Sequence, residues 1–200
     1  GSECDHRVVS LEYANDRAKL AAATSGFHLQ EEMSGRQAVI LEEIAGADIV
    51  LMHWWNHPLL YAFLVRESLP PARVIFWSHI SGYHLPYVFS PAALSYPDLF
   101  VFTSPLSLNV DEVRALPDER RSALHVVWST GGINDMLAVE RQPHKSFRIG
   151  YIGTVDYSKL HPQFVPMSGQ VDIPGAHFVV CGGPSHRQIE DEVRQRGLSN

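Results

Sequence analysis

Short, uninterrupted apolar runs recur along this chain, each closed by polar or turn residues, and that repeat constrains the fold more than any other feature. The runs are Arg7 to Tyr13, Ala47 to His53, Arg73 to Trp77, Asp98 to Thr103, Ala123 to Trp128, Phe147 to Ile152 and Ala176 to Cys181. They are rich in Val, Ile and Phe and do not alternate with polar residues, which is how strands covered on both faces read. Stretches of helical periodicity lie between several of them: Asn15 to Thr24, Gly35 to Ala45, Pro58 to Ser68, Leu106 to Leu116 and Ser185 to Arg196. Within Arg36 to Ile44, the spacing places Val39, Ile40 and Ile44 on one apolar face. Strand alternating with helix predicts βαβ units and an α/β fold with a doubly wound parallel sheet, whose ligands sit beyond the carboxyl ends of the strands.

The chain has 200 residues, 45% hydrophobic and 19% charged, enough to bury a substantial core in one or two domains. Its formal charge is -6, with only three lysines, so it has no excess positive charge for a nucleic acid backbone, and nucleic acid is not an expected partner. Cys4 and Cys181 form no CxxC pattern, which argues against a structural zinc or a disulfide framework and fits a reducing, cytoplasmic compartment. The apolar run from Pro58 to Val65 is far shorter than the roughly 20 residues that cross a bilayer. Peripheral association with a membrane stays open.

Composition shifts once, in the polar, proline-containing stretch 138–146. The expected organisation is therefore a first domain over 1–137, a linker over 138–146 and a second domain beginning at 147–200. The rival reading puts every strand into one sheet and makes 138–146 a loop. Only two strand signals follow the boundary, too few for a complete domain. The Gly1-Ser2 start and the stop after a helical pattern are expected of a slice of a longer protein.

The segment Phe147 to Lys159 joins a strand to a glycine turn, with Lys159 six residues past Gly153. A strand that ends in such a turn and feeds a helix offers free N–H groups to an anion, and the lysine adds a point charge. An ordinary strand-to-helix turn would also use glycine. Two further strand ends close in glycine pairs, Gly131-Gly132 and Gly182-Gly183. Histidine is abundant at eleven copies. His53 and His57 have H-x3-H spacing, but they straddle a strand end and the turn before Pro58, so they are expected to line the crevice and not to hold a metal. His79 and His84 follow the next strand, where an imidazole can bond a sugar hydroxyl, exchange a proton, or simply cap a loop. Ser78 beside His79 lacks the geometry of a hydrolase triad and no G-x-S-x-G occurs. Neither G-x-G-x-x-G nor G-x-x-x-x-G-K-[ST] is present, which weakens dehydrogenase and NTPase readings.

In order and spacing these pieces, over roughly residues 45 to 200, resemble the GT-B glycosyltransferases, and among them the large retaining family 4. Ala47 to His53 is similar to that family's aspartate, apolar strand and histidine element. The segment ending at His79 looks like the next strand with its active-site histidine, and Asp98 to Ser104 looks like the strand ending in serine. Gly131 to Asn134 resembles the turn before the interdomain linker, Arg148 to Lys159 the start of the nucleotide-sugar domain, and Cys181 to Pro184 its Gly-x-Gly-Pro strand end. The resemblance implies a Rossmann-like first domain on the acceptor side, lacking its first strand, and the beginning of a donor domain. It implies His79 as the catalytic histidine and Gly153, Thr154, Lys159, Gly182 and Gly183 as donor-binding residues, with His53, His57 and His84 on the acceptor side of the crevice. A nucleotide-sugar and a saccharide or lipid-linked acceptor would be the partners, with no metal or other cofactor. Thr154 stands where the family usually has arginine, so half of the positive clamp is missing, and no Glu-x7-Glu pair occurs. A noncatalytic nucleotide-binding or interaction module, and a nucleotide-sugar epimerase of the same fold, are the alternatives.

Overall fold

The computed structural model describes residues 4–129, 136–157, 159–183 and 187–198. The chain divides into two compact units, 1–131 and 132–200. The Gly131–Asn134 turn, Pro184 of the Gly-x-Gly-Pro strand end and Ser185, the expected start of the last helix, lie outside the described residues.

The first unit is α/β with parallel sheets. It opens with β1 (Arg7–Val9), α1 (Asp16–Ser25) and β2 (His28–Gln30), and β1 pairs parallel with β2. Helix α1 begins at Asn15, whose side chain accepts from the Ala18 N–H at 2.9 Å, and ends at Gly26 in the left-handed region. Then come α2 (Gln37–Ala45), β3 (Ile49–Trp54), α3 (Pro58–Arg66), β4 (Arg73–Ser78), α4 (Pro91–Ser95) and β5 (Leu99–Phe102). A 3-10 turn (Pro105–Asn109), α5 (Asp111–Arg114), α6 (Asp118–Arg121) and β6 (Leu124–Val126) complete the unit. Strands β3 to β6 form one parallel sheet in sequence order, without a reversal among the four.

The single helix expected over Leu106 to Leu116 is in fact two short pieces. Pro105 supports a 3-10 start, and Val110, extended at its ψ of 148°, separates it from α5. In α2, Ile40 and Ile44 are buried as expected, but Val39 is exposed, because its position lies about a hundred degrees round the helix from Ile40.

The even-numbered residues of the sheet make the core. Met52, Trp54, Phe76, Phe100 and Phe102 are buried and pack with Phe89, Leu94, Val110 and Val113 from the loops and short helices. Phe100 has no exposed surface, so truncation to alanine there would cost about 3–5 kcal/mol. The odd-numbered residues of β3 and β4 face the other way and are less covered: Ile49 and Leu51 are exposed and Ile75 only partly buried.

The second unit contains β7 (Arg148–Ile152), α7 (Phe164–Ser168), β8 (His177–Cys181) and α8 (Arg187–Gln195). Strands β7 and β8 pair parallel as a separate two-stranded sheet, so the rival reading with every strand in one sheet is not what forms. Val155, Leu160, Val165 and Ile189 are its buried residues.

Candidate functional site

The carboxyl ends of β3 and β4 carry a block of four aromatic side chains. In the parallel register His53 lies opposite Trp77. Alternation carried one step past each strand puts Trp55 and His79 next to them on the same face, and the His79 N–H donates to the Trp54 carbonyl at 2.9 Å, extending the ladder to that point. Asn56 then turns the chain at a φ of 57°, in the left-handed region that Asn tolerates, and its amide donates to the carbonyls of Pro86 and Val88 at 3.0 and 2.8 Å. Those bonds tie the β3 loop to the loop after β4.

Within the block the two imidazoles meet directly. His53 Nδ1 and His79 Nε2 are 2.8 Å apart, and the rings are inclined by only 15° with centroids 5.1 Å apart, the separation that an edge-to-edge, in-line contact leaves. Trp55 lies nearly parallel over His79, centroids 4.1 Å apart and planes at 14°, and reaches His53 at 5.8 Å. Trp77 is tilted against both rings at 5.6 and 5.4 Å. Trp55 keeps 48% of its surface exposed, whereas Trp77 is half-buried and its indole Nε1 is buried without a hydrogen-bond partner.

Burial pushes both histidines below the usual imidazole range, and a charge on His53 would push His79 further down. The pair is therefore neutral at pH 7. One N–H bridges the two rings, so the neutral pair has one further N–H donor and one further lone pair, whichever way the bridging proton points. No other hydrogen bond engages those two nitrogens among the described residues.

The remaining histidines of the sequence reading lie outside this block. His57 caps α3, its Nδ1 accepting from the Leu59 N–H at 3.3 Å while its Nε2 sits 3.4 Å from the Glu12 carboxylate. Its ring is thus committed to a helix end. His84 is exposed in the turn closed by the Tyr87 N–H on the His84 carbonyl, against Tyr83. Ser78 is fully buried on the opposite face, donating to the Ile80 carbonyl and accepting from the Ile80 N–H, so it has no contact with His79 that a triad requires. Among the described residues no three His, Cys, Asp or Glu side chains group as metal ligands.

The strand ends of the second unit are built differently. Among the described residues no helix follows the Gly153 turn directly: residues 153–157 and 159–163 are turns and irregular chain, with the Lys159 and Leu160 N–H groups both donating to the Asp156 carbonyl, and α7 starts only at Phe164. The Gly153 N–H donates to the Cys181 carbonyl at 3.0 Å. That donor is used in the sheet, which corrects the expectation of a strand feeding a helix with its N–H groups free. A Cβ on Gly182 would overlap the Gly153 carbonyl oxygen, so close backbone approach by itself explains glycine at this position. Thr154 gives its carbonyl to the Tyr151 hydroxyl at 2.9 Å. Gly183 is exposed with open space where a Cβ would sit, and Lys159 is exposed with no ion pair among the described residues.

Sequence reasoning placed His53 and His79 at the strand ends but missed Trp55 and Trp77. The signal was available in principle: a residue two positions from each histidine shares its face of the sheet. Which strands are neighbours, and in what register, is what a sequence does not print.

No family model, no curated protein and no solved structure matches this chain.

Proposed function

We propose that the chain belongs to a glycosyltransferase of GT-B arrangement, which moves a sugar from a nucleotide-sugar donor to an acceptor hydroxyl with retention. The observation that carries this reading is the neutral His53–His79 pair at the carboxyl ends of adjacent parallel strands, where open α/β sheets hold their ligands. His79 is the catalytic group in this proposal, bonding the transferred sugar or its acceptor, and His53 holds its ring through the N···N contact. The second unit supplies the donor end. Lys159, exposed and unpaired among the described residues, would face the leaving diphosphate, a charge that such an enzyme stabilises with basic side chains and backbone N–H groups. The acceptor is a saccharide or a lipid-linked acceptor, used in the cytoplasm, and no metal is needed.

One observation favours the noncatalytic alternative, a nucleotide-binding or interaction module: the Gly153 N–H is engaged by Cys181, so the donor end offers less to a diphosphate than its sequence promised. Titration of the chain with UDP- and GDP-hexoses, in parallel with a transfer assay on the protein, separates the two. The transferase reading expects donor binding that weakens about tenfold or more in Lys159→Ala, the loss of one charge-assisted contact. Binding unchanged by Lys159→Ala, or no donor bound at all, overturns it.

A further inference from the structure

We infer that His53 and His79 form a two-ring proton relay, in which His53 carries a proton onward and does more than hold His79 in place. The in-line contact has the form a relay needs. His53 Nδ1 and His79 Nε2 face each other at 2.8 Å with one N–H between them, while the outer nitrogens, His53 Nε2 and His79 Nδ1, point to opposite sides. Two imidazoles have the same ordinary proton affinity, so the shared proton crosses without a large uphill step. A histidine held only for orientation takes a carbonyl or carboxylate as its partner, which fixes the tautomer. Neither ring has such a partner among the described residues.

The exposures give the direction. His79 is half-buried with Trp55 stacked on it at 4.1 Å, whereas His53 is exposed to water. In the tautomer that can act as a base, both rings carry their proton on Nε2, and His79 Nδ1 holds a free lone pair. An acceptor hydroxyl gives its proton to that lone pair as its oxygen bonds the sugar carbon and the diphosphate leaves. The Nε2 proton of His79 passes to His53 Nδ1, and the Nε2 proton of His53 leaves to water. Both rings end neutral with their tautomers exchanged, and the reverse passage, from water to water once product has gone, restores them. No imidazolium is left behind, which suits a block where no carboxylate is bonded to either ring among the described residues. The source of the proton rests on the sugar-transfer reading; the passage between the rings does not.

The first test is NMR on the whole chain labelled with nitrogen-15 histidine. At neutral pH a coupling between His53 Nδ1 and His79 Nε2 across the shared N–H is expected. The rings that face the pair, Trp55 and Trp77, carry no charge, so the pair titrates on its own. As pH falls, the first proton taken up should move the ring-nitrogen signals of both histidines with one midpoint. No coupling, or one ring protonating while the other stays unchanged, overturns the relay. The second test is sugar transfer by His53→Gln, whose amide oxygen still accepts from the His79 Nε2–H but passes no proton on. Its kcat should fall about tenfold or more with KM within about threefold, and the bowed dependence of rate on heavy-water fraction should become linear. Transfer by His53→Gln at the parent kcat overturns the relay alone. Shared titration of the two rings without transfer from any UDP- or GDP-hexose overturns the transfer reading alone.

Discussion

The strand ends β3/β4 and β7/β8 are both sites that a reader of the sequence marks for function, yet they use their residues in opposite ways. At β3/β4 the marked residues are side chains with hydrogen-bonding capacity left over: two imidazole nitrogens, a buried indole N–H and an exposed indole face. At β7/β8 the marked residues are glycines, and the structure gives them occupation within the protein, with the Gly153 N–H in the ladder and Gly182 pressed against the Gly153 carbonyl. A strand-end glycine has two good reasons to exist, ligand approach and backbone approach. A pair of touching histidines with free nitrogens has fewer reasons that concern packing alone.

The sharpest way to break the comparison is to add one methyl group at each place. Gly182→Ala puts a Cβ into a backbone carbonyl, which cannot swing away, and should cost about 3 kcal/mol or more, seen as loss of cooperative unfolding of the second unit. Gly153→Ala meets only the end of the Tyr151 side chain, 2.7 Å from its hydroxyl oxygen, which can move; its cost should stay near 1 kcal/mol. If both substitutions are tolerated equally in denaturant melts, close approach does not explain Gly182.

A second contrast lies in pH. Below the ordinary imidazole value of 6.5 the unfolded chain takes up protons that burial denies to His53 and His79. The first unit should therefore lose stability as pH falls from about 6.5 through the lowered folded values. The rings that face the pair are Trp55 and Trp77, and the one charge acting on His79 is that of His53, so no neighbouring group masks the slope. The second unit titrates on the other side. Burial, with the hydrogen bond to Glu192, pushes the Tyr157 hydroxyl up to about 12, so stability is lost as pH rises from the ordinary 10 towards that value. His53→Asn should flatten the acid limb and leave the alkaline one, and Tyr157→Phe should do the reverse. Chemical melts across pH that show the same limb flattened by both variants would contradict this.

Much of the architecture was legible because continuous apolar runs mark parallel strands, though not their burial: Ile49 and Leu51 of β3, and Ile152 and Val179 of β7 and β8, are exposed where cover on both faces was expected. What escaped was short or polar. Strand β2, His28–Gln30, offers one leucine among three residues, and α4 is a five-residue helix announced only by its Ser90 cap and Pro91. The site divides the same way. His53 and His79 could be placed by the rule for strand ends, but their pairing, and the two tryptophans that complete the block, depend on which strands lie side by side. Local spacing says nothing of that. Lys159 could be read as a charge six residues beyond a glycine, but whether the glycine presents its N–H to a ligand was decided by the partner strand.

The most direct measurement is sugar transfer from a panel of UDP- and GDP-hexoses by the protein and its His79→Ala variant, at matched folded concentration. If the His53–His79 pair is the working site, transfer falls about 10²–10⁴-fold in the variant while donor binding stays within a few-fold of the parent. Transfer at the parent rate by His79→Ala would contradict it.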